Sequence, residues 1–342
     1  MAYTKIVDAL RAAIIEEMDA DPNVVMLGED IAVFGGAYRV SDGLLDRYGE
    51  KRICDTPISE TAIAGAAIGA AMTGLRPIAE FQFNDFMACA MDQICNQAAK
   101  IRLMMGGQVT VPLVFRAPYG ATGRAAQHSQ SLEAWFAHTP GLKVVMPSTP
   151  YDAKGLMKSA IRDDNPVVFL EHKMLYGAAS PGGKAKTALD ELDSTFRPAP
   201  EEPYFVEIGK ADIKREGTDI TIVATGLMVH KAAKAAKELE AEGISSEIID
   251  LRTVTPLDTD MILNSLSKTG RLLIATESVG MCGIAAEIAA RAAEDGIFSL
   301  DAPIRRVCAK NAPVPFAPAC EADVIPSEKD IVSAAREICA GI

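Results

Sequence analysis

The length, composition and charge of the chain exclude several classes of protein. Its 342 residues suffice for two domains that each bury a core, and 49% hydrophobic with 23% charged residues is typical of a soluble globular protein. The net charge of −12 argues against nucleic acid or an anionic membrane as a partner. Seven scattered cysteines without a C-x-x-C pair indicate reduced thiols rather than a zinc ribbon. A first helix that is charged throughout, unlike a signal peptide, predicts a soluble, cytoplasmic protein.

The first half of the chain alternates helical and strand patterns, which predicts parallel βαβ units in a doubly wound α/β sheet. Apolar side chains at helical spacing mark the helices, and short apolar runs bounded by Gly, Pro or polar residues mark the strands. The predicted helices are 3–20, 44–49, one beginning near 61, 87–105 and 152–162. The predicted strands are 24–27, 52–54, 77–81, 111–116, 142–146 and 167–170.

A change in composition between residues 177 and 203 predicts an interdomain linker. Pro198, Pro200 and Pro203 accompany acidic residues there, with little periodicity. The α/β alternation resumes at residue 219, with predicted strands 220–224, 246–251, 271–276 and 304–307 and predicted helices 229–241, 258–268, 283–294 and 329–340. We therefore predict an α/β domain at 1–180, a linker at 181–205 and a second α/β domain at 206–342.

Candidate functional side chains recur near the carboxyl ends of the predicted strands. They are Glu29, Glu60, Gln82, Phe86 and His128. Because the carboxyl ends of parallel strands meet at one edge of a sheet, these positions predict a single ligand site. Taken singly, each has a plainer interpretation: Glu60 as a helix-start acid, His128 as a hydrogen-bonded loop histidine and Phe86 as a core aromatic. We also expect Glu60 to be buried beside Ile58.

Five longer motifs are more specific than any single residue. They are Asp55-Thr56-Pro57-Ile58-Ser59-Glu60, Gly74-Leu75-Arg76-Pro77-Ile78, Ala126-Gln127-His128-Ser129-Gln130, Pro140-Gly141-Leu142-Lys143-Val144-Val145, and Asp152-Ala153-Lys154-Gly155-Leu156 through Asn165-Pro166-Val167. Through these motifs the chain closely resembles, nearly end to end, the beta subunit of the thiamine-diphosphate-dependent decarboxylating component of 2-oxo acid dehydrogenase complexes, a family that includes acetoin dehydrogenase. The resemblance implies a pyrimidine-binding α/β domain up to about Tyr176 and a transketolase-type C-terminal domain.

The resemblance also implies roles for individual residues. Glu60 resembles the glutamate that holds the N1′ nitrogen of the cofactor's aminopyrimidine and exchanges a proton with it. Phe86 resembles the aromatic stacked on that ring, and His128 resembles the histidine that faces the substrate and the reductive acylation step. Further cofactor-binding positions are implied at Ile58, Gln82 and the tunnel-lining Glu29. The positions implied to bind a potassium ion, mostly through backbone carbonyls, are Leu113, Ala160, Ile161, Asp163 and Asn165.

One motif of the thiamine-diphosphate superfamily is absent from this sequence. We find no Gly-Asp-Gly followed at the usual distance by Asn-Asn, the segment that holds Mg²⁺ and the diphosphate. The resemblance therefore implies that an alpha subunit supplies this half of the site in an α2β2 heterotetramer. It further implies a lipoyl acyltransferase core as the partner that accepts the product. Alone, the chain is expected to be inactive.

Two local segments bear on the substrate. Glu171-His172-Lys173 with Leu175-Tyr176, and residues 81–86, resemble acetoin-type more than pyruvate-type subunits and place a branched-chain substrate last. The predicted reaction is cleavage of acetoin or decarboxylation of pyruvate, with transfer of the acyl or hydroxyalkyl unit to a lipoyl domain. The alternative is a non-catalytic scaffold or regulatory subunit that retains the fold. The presence of both Glu60 and His128 argues against it, because a scaffold needs neither.

Overall fold

The computed structural model of the chain describes residues 2–177 and 197–340. Its first half alternates helices and strands as the sequence predicts. The elements are α1 (Ile6–Ala20), β1 (Val24–Gly28), α2 (Leu44–Tyr48), β2 (Ile53–Asp55), α3 (Glu60–Met72), β3 (Arg76–Glu80), α4 (Ile101–Met104), β4 (Val114–Tyr119), α5 (Glu133–Ala137), β5 (Lys143–Val145), α6 (Pro150–Arg162) and β6 (Val167–His172).

The second half continues the same alternation, again with six strands among the described residues. The elements are β7 (Asp212–Arg215), β8 (Ile220–Ala224), α7 (Leu227–Ala241), β9 (Ser246–Asp250), β10 (Thr253–Thr255), α8 (Thr259–Thr269), β11 (Leu272–Val279), α9 (Ile284–Gly296), β12 (Arg305–Ala309), α10 (Pro318–Val324) and α11 (Glu328–Cys339). Of these elements and those of the first half, β7, β10, α5 and α10 were not predicted from the sequence.

The strands form two mainly parallel sheets, which confirms the predicted fold class. The first sheet has the order β10-β5-β6-β4-β3-β1-β2, and the second has the order β12-β11-β8-β9-β7. A strand that is buried on both faces usually has a mainly apolar sequence. Every residue of β6 is buried. Strand β10 comes from the second half of the chain but pairs antiparallel with β5, so the first sheet contains a strand from beyond the predicted linker.

The prediction of one long helix at 87–105 is wrong. The chain forms a 3₁₀ segment at Asn84–Ala90, a π-helical segment at Asp92–Ala98 and only then the short α4. Tertiary hydrogen bonds fix the first segment, because the Asn84 side chain donates to the Gln130 carbonyl at 2.9 Å and accepts from the Leu132 N–H at 3.3 Å. Interrupted helices of this kind are frequent at functional sites.

The apolar face expected for that helix is correspondingly only partly buried. Ile94 and Ala98 lie in the core, whereas Met105 is 47% exposed. Leu103 and Met104 of α4 are more exposed still. The helical spacing alone therefore overestimates how far the core extends along this segment.

The described part of the predicted linker contacts the first domain. Ala199 pairs with Tyr3 through backbone hydrogen bonds of 2.7 and 2.9 Å, and the buried Lys154 ammonium donates to the carbonyls of Pro200 and Glu201. The boundaries 1–180, 181–205 and 206–342 stay a prediction, and residues 178–196 lie outside the described residues. Within the described part of the chain, no helix has both the length and the apolarity needed to cross a membrane.

A buried histidine links the two halves and makes stability depend on pH. His230 on α7 donates from Nε2 to the Ser148 carbonyl at 2.6 Å, and burial lowers its pKa to about 4 from an ordinary value of 6.5. The unfolded chain then binds a proton that the folded chain excludes, so stability is lost as the pH falls from about 6.5 towards 4. Between pH 8 and pH 5 the loss is about 2 kcal/mol.

His230→Gln keeps an N–H donor for the Ser148 carbonyl and removes this titration. We expect the midpoint of urea unfolding to vary less with pH between 7 and 5 in this variant than in the wild type. The matched control is His138→Gln, because His138 is exposed. A wild-type midpoint that is flat over this range would contradict the account.

Candidate active site

The order of the strands places a candidate site at the carboxyl edge of the first sheet. Strand β1 lies between β2 and β3, and the chain moves outwards in opposite directions from this point. A doubly wound sheet binds ligands at such a switch point. The structure brings together there three of the residues singled out in the sequence, one after each strand: Glu29, Glu60 and Gln82.

Backbone contacts hold the stretch before Glu60 against the end of β1. The Thr56 N–H donates to the Gly28 carbonyl at 3.0 Å, and the Asp55 carboxylate accepts from the Ala32 N–H at 2.7 Å. Glu60 is then the first residue of α3, at the end of the helix where an acidic side chain or an anion is favoured. The backbone before Glu60 is thus held against the end of β1.

Two carboxyls of the site interact through their charges. Burial raises the pKa of Glu29, and the negative charges of Glu60 and Asp30 raise it further, while a hydrogen bond from the Ser59 N–H acts in the opposite direction. A carboxyl whose pKa is raised in this way holds a proton more readily than a free one. The two acidic side chains are therefore close enough for the charge of one to act on the other.

The expected burial of Glu60 beside Ile58 is wrong for this chain by itself. Ile58 is 83% exposed and Glu60 is half-buried. The reason lies in α3, whose buried side chains point away from the edge of the sheet. They are Ile63, Ala64, Ala67, Ile68 and Ala71.

An aromatic corner, formed by Phe83, Phe86 and His128, contains the predicted histidine. The ring of His128 meets the rings of Phe86 and Phe83 edge to face, with centroids 5.2 and 4.8 Å apart. Phe86 and Phe83 meet each other in the same manner at 5.4 Å. Gln82 turns instead towards Asp30, donating to its carboxylate at 3.3 Å. The structure therefore joins Phe86 with His128 and directs Gln82 to the loop after β1.

The backbone of His128 is held by Lys173, a lysine to which the sequence analysis assigned no role in the site. The Lys173 ammonium donates to the backbone carbonyl of His128 and lies 5.1 Å from the centre of the Phe83 ring. Burial lowers the pKa of Lys173 to about 8, although the nearby carboxylate of Asp85 opposes the shift. Lys173 directly follows β6, so the same rule of strand carboxyl ends that identified Glu60 would have found it.

The loop that carries His128 begins at a position that requires glycine. We call residues 120–131 the His128 loop. Gly120 has φ +92°, and a Cβ built there would overlap the His172 ring. Gly123 also has a positive φ, +71°, but a Cβ built there meets open space.

The two glycines allow a matched pair of variants. Gly123→Ala incurs only the backbone strain and should cost about 1–2 kcal/mol of stability. Gly120→Ala incurs the same strain and also displaces His172, which should add about 1–3 kcal/mol. Urea unfolding of the two variants measures the difference, and equal midpoints would contradict the predicted overlap.

The residues predicted to bind potassium lie at the opposite, amino edge of the sheet. The structure brings four of their carbonyls close together there, and each already accepts a hydrogen bond. The Leu113 carbonyl accepts from the Val167 N–H at 2.8 Å, and the Ala160 carbonyl from the Asp163 N–H at 3.3 Å. The Arg76 guanidinium donates to the carbonyls of Ile161 and Asp163 at 3.1 and 3.4 Å.

The remaining polar groups of this set are engaged by cations of the protein. The Asn165 side-chain oxygen accepts from Arg102 at 2.8 Å, and the Asp163 carboxylate pairs with Lys143. A carbonyl oxygen has two lone pairs, so each carbonyl retains one acceptor position. Three cationic side chains of the protein thus already engage this set, and the potassium site stays a prediction.

The chain is similar to known proteins over nearly its whole length. The family model described as transketolase, pyrimidine binding domain matches residues 3–178, and that described as transketolase, C-terminal domain matches residues 209–331. The chain is 46% identical to the 2-oxoisovalerate dehydrogenase subunit beta of Bacillus subtilis, over 99% of both chains. It is 48% identical to the acetoin:2,6-dichlorophenolindophenol oxidoreductase subunit beta of Cupriavidus necator, over 97% of this chain and 96% of that one. The chain belongs to the 2-oxo acid dehydrogenase E1 beta subunits.

A further relative and one solved structure are also similar to this E1 beta subunit. It is 44% identical to the pyruvate dehydrogenase E1 component subunit beta of Bacillus subtilis, over 99% of both chains. A split gene transketolase, described as an inactive beta4 tetramer, superposes with a TM-score of 0.78 at 23% identity, over 99% of both chains. That structure supports the fold alone. The predicted family and fold class are thereby confirmed. Sequence identity does not separate the three substrates, because the relatives named for 2-oxoisovalerate, acetoin and pyruvate are 46%, 48% and 44% identical to this E1 beta subunit.

Proposed function

We propose that this E1 beta subunit forms half of a thiamine-diphosphate-dependent active site that cleaves acetoin or decarboxylates pyruvate. The proposal rests on two observations at the carboxyl edge of the first sheet: the carboxyls of Glu29 and Glu60 interact beside the switch point, and the rings of Phe86 and His128 contact each other. An alpha subunit in an α2β2 heterotetramer supplies Mg²⁺ and the diphosphate-binding half. The product passes to a lipoyl domain of the acyltransferase core, in the cytoplasm.

The donor set suits the pyrimidine end of this cofactor. Glu60 offers a half-exposed carboxyl, and Phe86 offers a half-exposed ring against which a flat heterocycle can stack. When bound, the cofactor supplies a nucleophilic carbon that attacks a carbonyl and stabilises the charge left by the departing group. Glu60 would hold a ring nitrogen and exchange a proton with it, and burial, together with the charge of Glu60, raises the pKa of the neighbouring Glu29.

His128 acts on the substrate side of the site. Its ring orientation is set by the edge-to-face contacts with Phe83 and Phe86, and its backbone is held by Lys173. An imidazole held in this way can donate a hydrogen bond to the substrate or exchange a proton with the incoming lipoyl group near neutral pH. A scaffold subunit would need neither the oriented ring nor the paired carboxyls.

Dye reduction by the assembled α/β complex tests the substrate. The complex is offered acetoin, pyruvate and 2-oxoisovalerate in parallel, with thiamine diphosphate and Mg²⁺. We expect acetoin or pyruvate to have the highest kcat/KM. A higher kcat/KM for 2-oxoisovalerate would contradict the proposed substrate class, and no reduction with any of the three would favour the scaffold alternative.

A further inference from the structure

The His128 loop makes few backbone hydrogen bonds of its own. Those within it join the Gly120 N–H to the Gln130 carbonyl at 3.1 Å and the His128 N–H to the Ala125 carbonyl at 3.4 Å. The first closes the two ends of the loop, and the second is long. The position of the loop therefore depends on groups outside it.

The second domain supplies two of these groups, and both are carboxylates. Glu277 on β11 accepts from the Ala121 N–H at 2.6 Å, and Glu321 on α10 accepts from the Gly123 N–H at 2.7 Å. Hydrogen bonds from a backbone N–H to a carboxylate are shorter and stronger than those between neutral groups. The two bonds hold the first four residues of the loop against the second domain.

Glu277 is itself held in place by the first domain. The Met174 N–H donates to Nδ1 of His172 at 3.2 Å, which leaves Nε2 as the protonated nitrogen, and Nε2 lies 2.8 Å from the Glu277 carboxylate. Burial raises the pKa of Glu277, but His172 and the Ala121 N–H outweigh burial and hold it at about 2. Glu277 is therefore a carboxylate at any pH near neutral.

We infer that the second domain positions His128, through the bonds from Glu277 and Glu321 to the backbone of the His128 loop. Both glutamates line a cavity of about 600 Å³ that residues of both domains enclose, among them Ala121 and Gly123 of the loop. Neither glutamate is among the residues assigned above to the cofactor or the substrate, so we describe them as positioning residues. The inference rests on the proposed function for its catalytic consequence, but the anchoring itself does not need a bound cofactor.

The first domain also holds the loop, through the Asp85 carboxylate, which accepts from the Gln130 N–H at 3.2 Å, and through Lys173. Its ammonium donates to the His128 carbonyl, so the loop is held at its start by carboxylates and at its centre by a cation. Any rotation of the second domain away from the first would stretch the bonds at Ala121 and Gly123 and shift His128 relative to Phe86. The second domain thus contributes to the reaction by positioning His128, although the residues assigned to the cofactor and the substrate lie in the first domain.

Three variants at two positions test the inference in the full α/β complex. Glu321→Ala removes the acceptor for the Gly123 N–H, whereas Glu321→Gln keeps an acceptor oxygen at the same place. Glu328→Ala is the matched control, because Glu328 lines the same cavity but pairs with Lys234 at 3.8 Å rather than with the loop. Amide hydrogen exchange of residues 120–131 is measured without cofactor, and the kcat for transfer to a lipoyl domain and the KM for thiamine diphosphate are measured with it.

We expect Glu321→Ala to raise exchange in the His128 loop and to leave exchange in α3 unchanged. Its kcat for lipoyl transfer should fall by about 10- to 100-fold with little change in the KM for thiamine diphosphate, since a displaced group costs about this much. Glu321→Gln should recover most of both effects, and Glu328→Ala should match the wild type.

Unchanged exchange in Glu321→Ala would overturn the anchoring, and so would a Glu321→Gln variant as impaired as Glu321→Ala. Raised exchange with a wild-type kcat would overturn the positioning of His128. A wild-type complex that binds no thiamine diphosphate would overturn the proposed function, while the exchange data would still decide the anchoring. The two failures are therefore distinguishable.

Discussion

Glu60→Gln lowers turnover of the assembled α/β complex by about 10²- to 10⁴-fold and leaves assembly intact. A glutamine has nearly the shape of glutamate and can still hydrogen-bond a ring nitrogen, but it cannot carry the proton that Glu60 is proposed to exchange. Glu60 is half-buried and lies at the start of α3, so its side chain contributes little to the stability of the fold. The loss of its interaction with the helix dipole costs at most about 1 kcal/mol.

The matched control is Glu328→Gln, because Glu328 is likewise the first residue of a helix and half-exposed. Steady-state dye reduction gives the rates, and sedimentation of the complex gives the assembly state. Glu328→Gln is expected to retain wild-type turnover. Wild-type turnover in Glu60→Gln would contradict the role assigned to this carboxyl, whereas failure of the complex to assemble would assign Glu60 a structural role.

Lys214→Met destabilises the folded chain by about 3–5 kcal/mol, because it removes a buried cation from three carboxylates. The Lys214 ammonium lies 2.6 Å from Asp152 of α6, 2.8 Å from Asp212 and 3.6 Å from Asp250. Asp152 and Asp250 are fully buried, and Arg252 is the other cation of the cluster. Burial opposes the charge on Lys214, but these carboxylates outweigh burial and raise its pKa.

Two further variants make the second prediction specific. Lys210→Met, at an exposed lysine four residues earlier, should change the unfolding midpoint little. Adding Asp250→Asn to Lys214→Met should restore part of the lost stability, because it removes one of the carboxylates left without compensation. Urea unfolding of the full chain measures all three, and a Lys214→Met midpoint equal to that of the wild type would show that the cluster does not hold the domains together.

The sequence predicted best what depends on local order along the chain. Alternating helices and strands gave the doubly wound sheet, and the rule that ligands bind at the carboxyl ends of parallel strands selected Glu29, Glu60, Phe86 and His128 before any coordinates. The structure pairs Glu29 with Glu60 and Phe86 with His128 at the carboxyl edge of that sheet. Their individual roles stay predictions.

The sequence failed where distant segments decide the structure. The helix predicted at 87–105 is broken because Asn84 bonds to residues 130 and 132. Strand β10 joins a sheet formed otherwise by the first half of the chain. Glu277 and Glu321 lie about 150 and 200 residues beyond the loop they hold, so no local pattern could have connected them to His128.

Titration of thiamine diphosphate, in the presence of Mg²⁺, tests most directly whether this chain completes a shared active site. Calorimetry is performed on the beta chain alone, on the alpha chain alone and on the assembled complex. We predict saturable binding by the complex at one cofactor per beta chain and no comparable binding by the beta chain alone. Equally tight binding by the isolated beta chain, or no binding by the complex, would contradict the account.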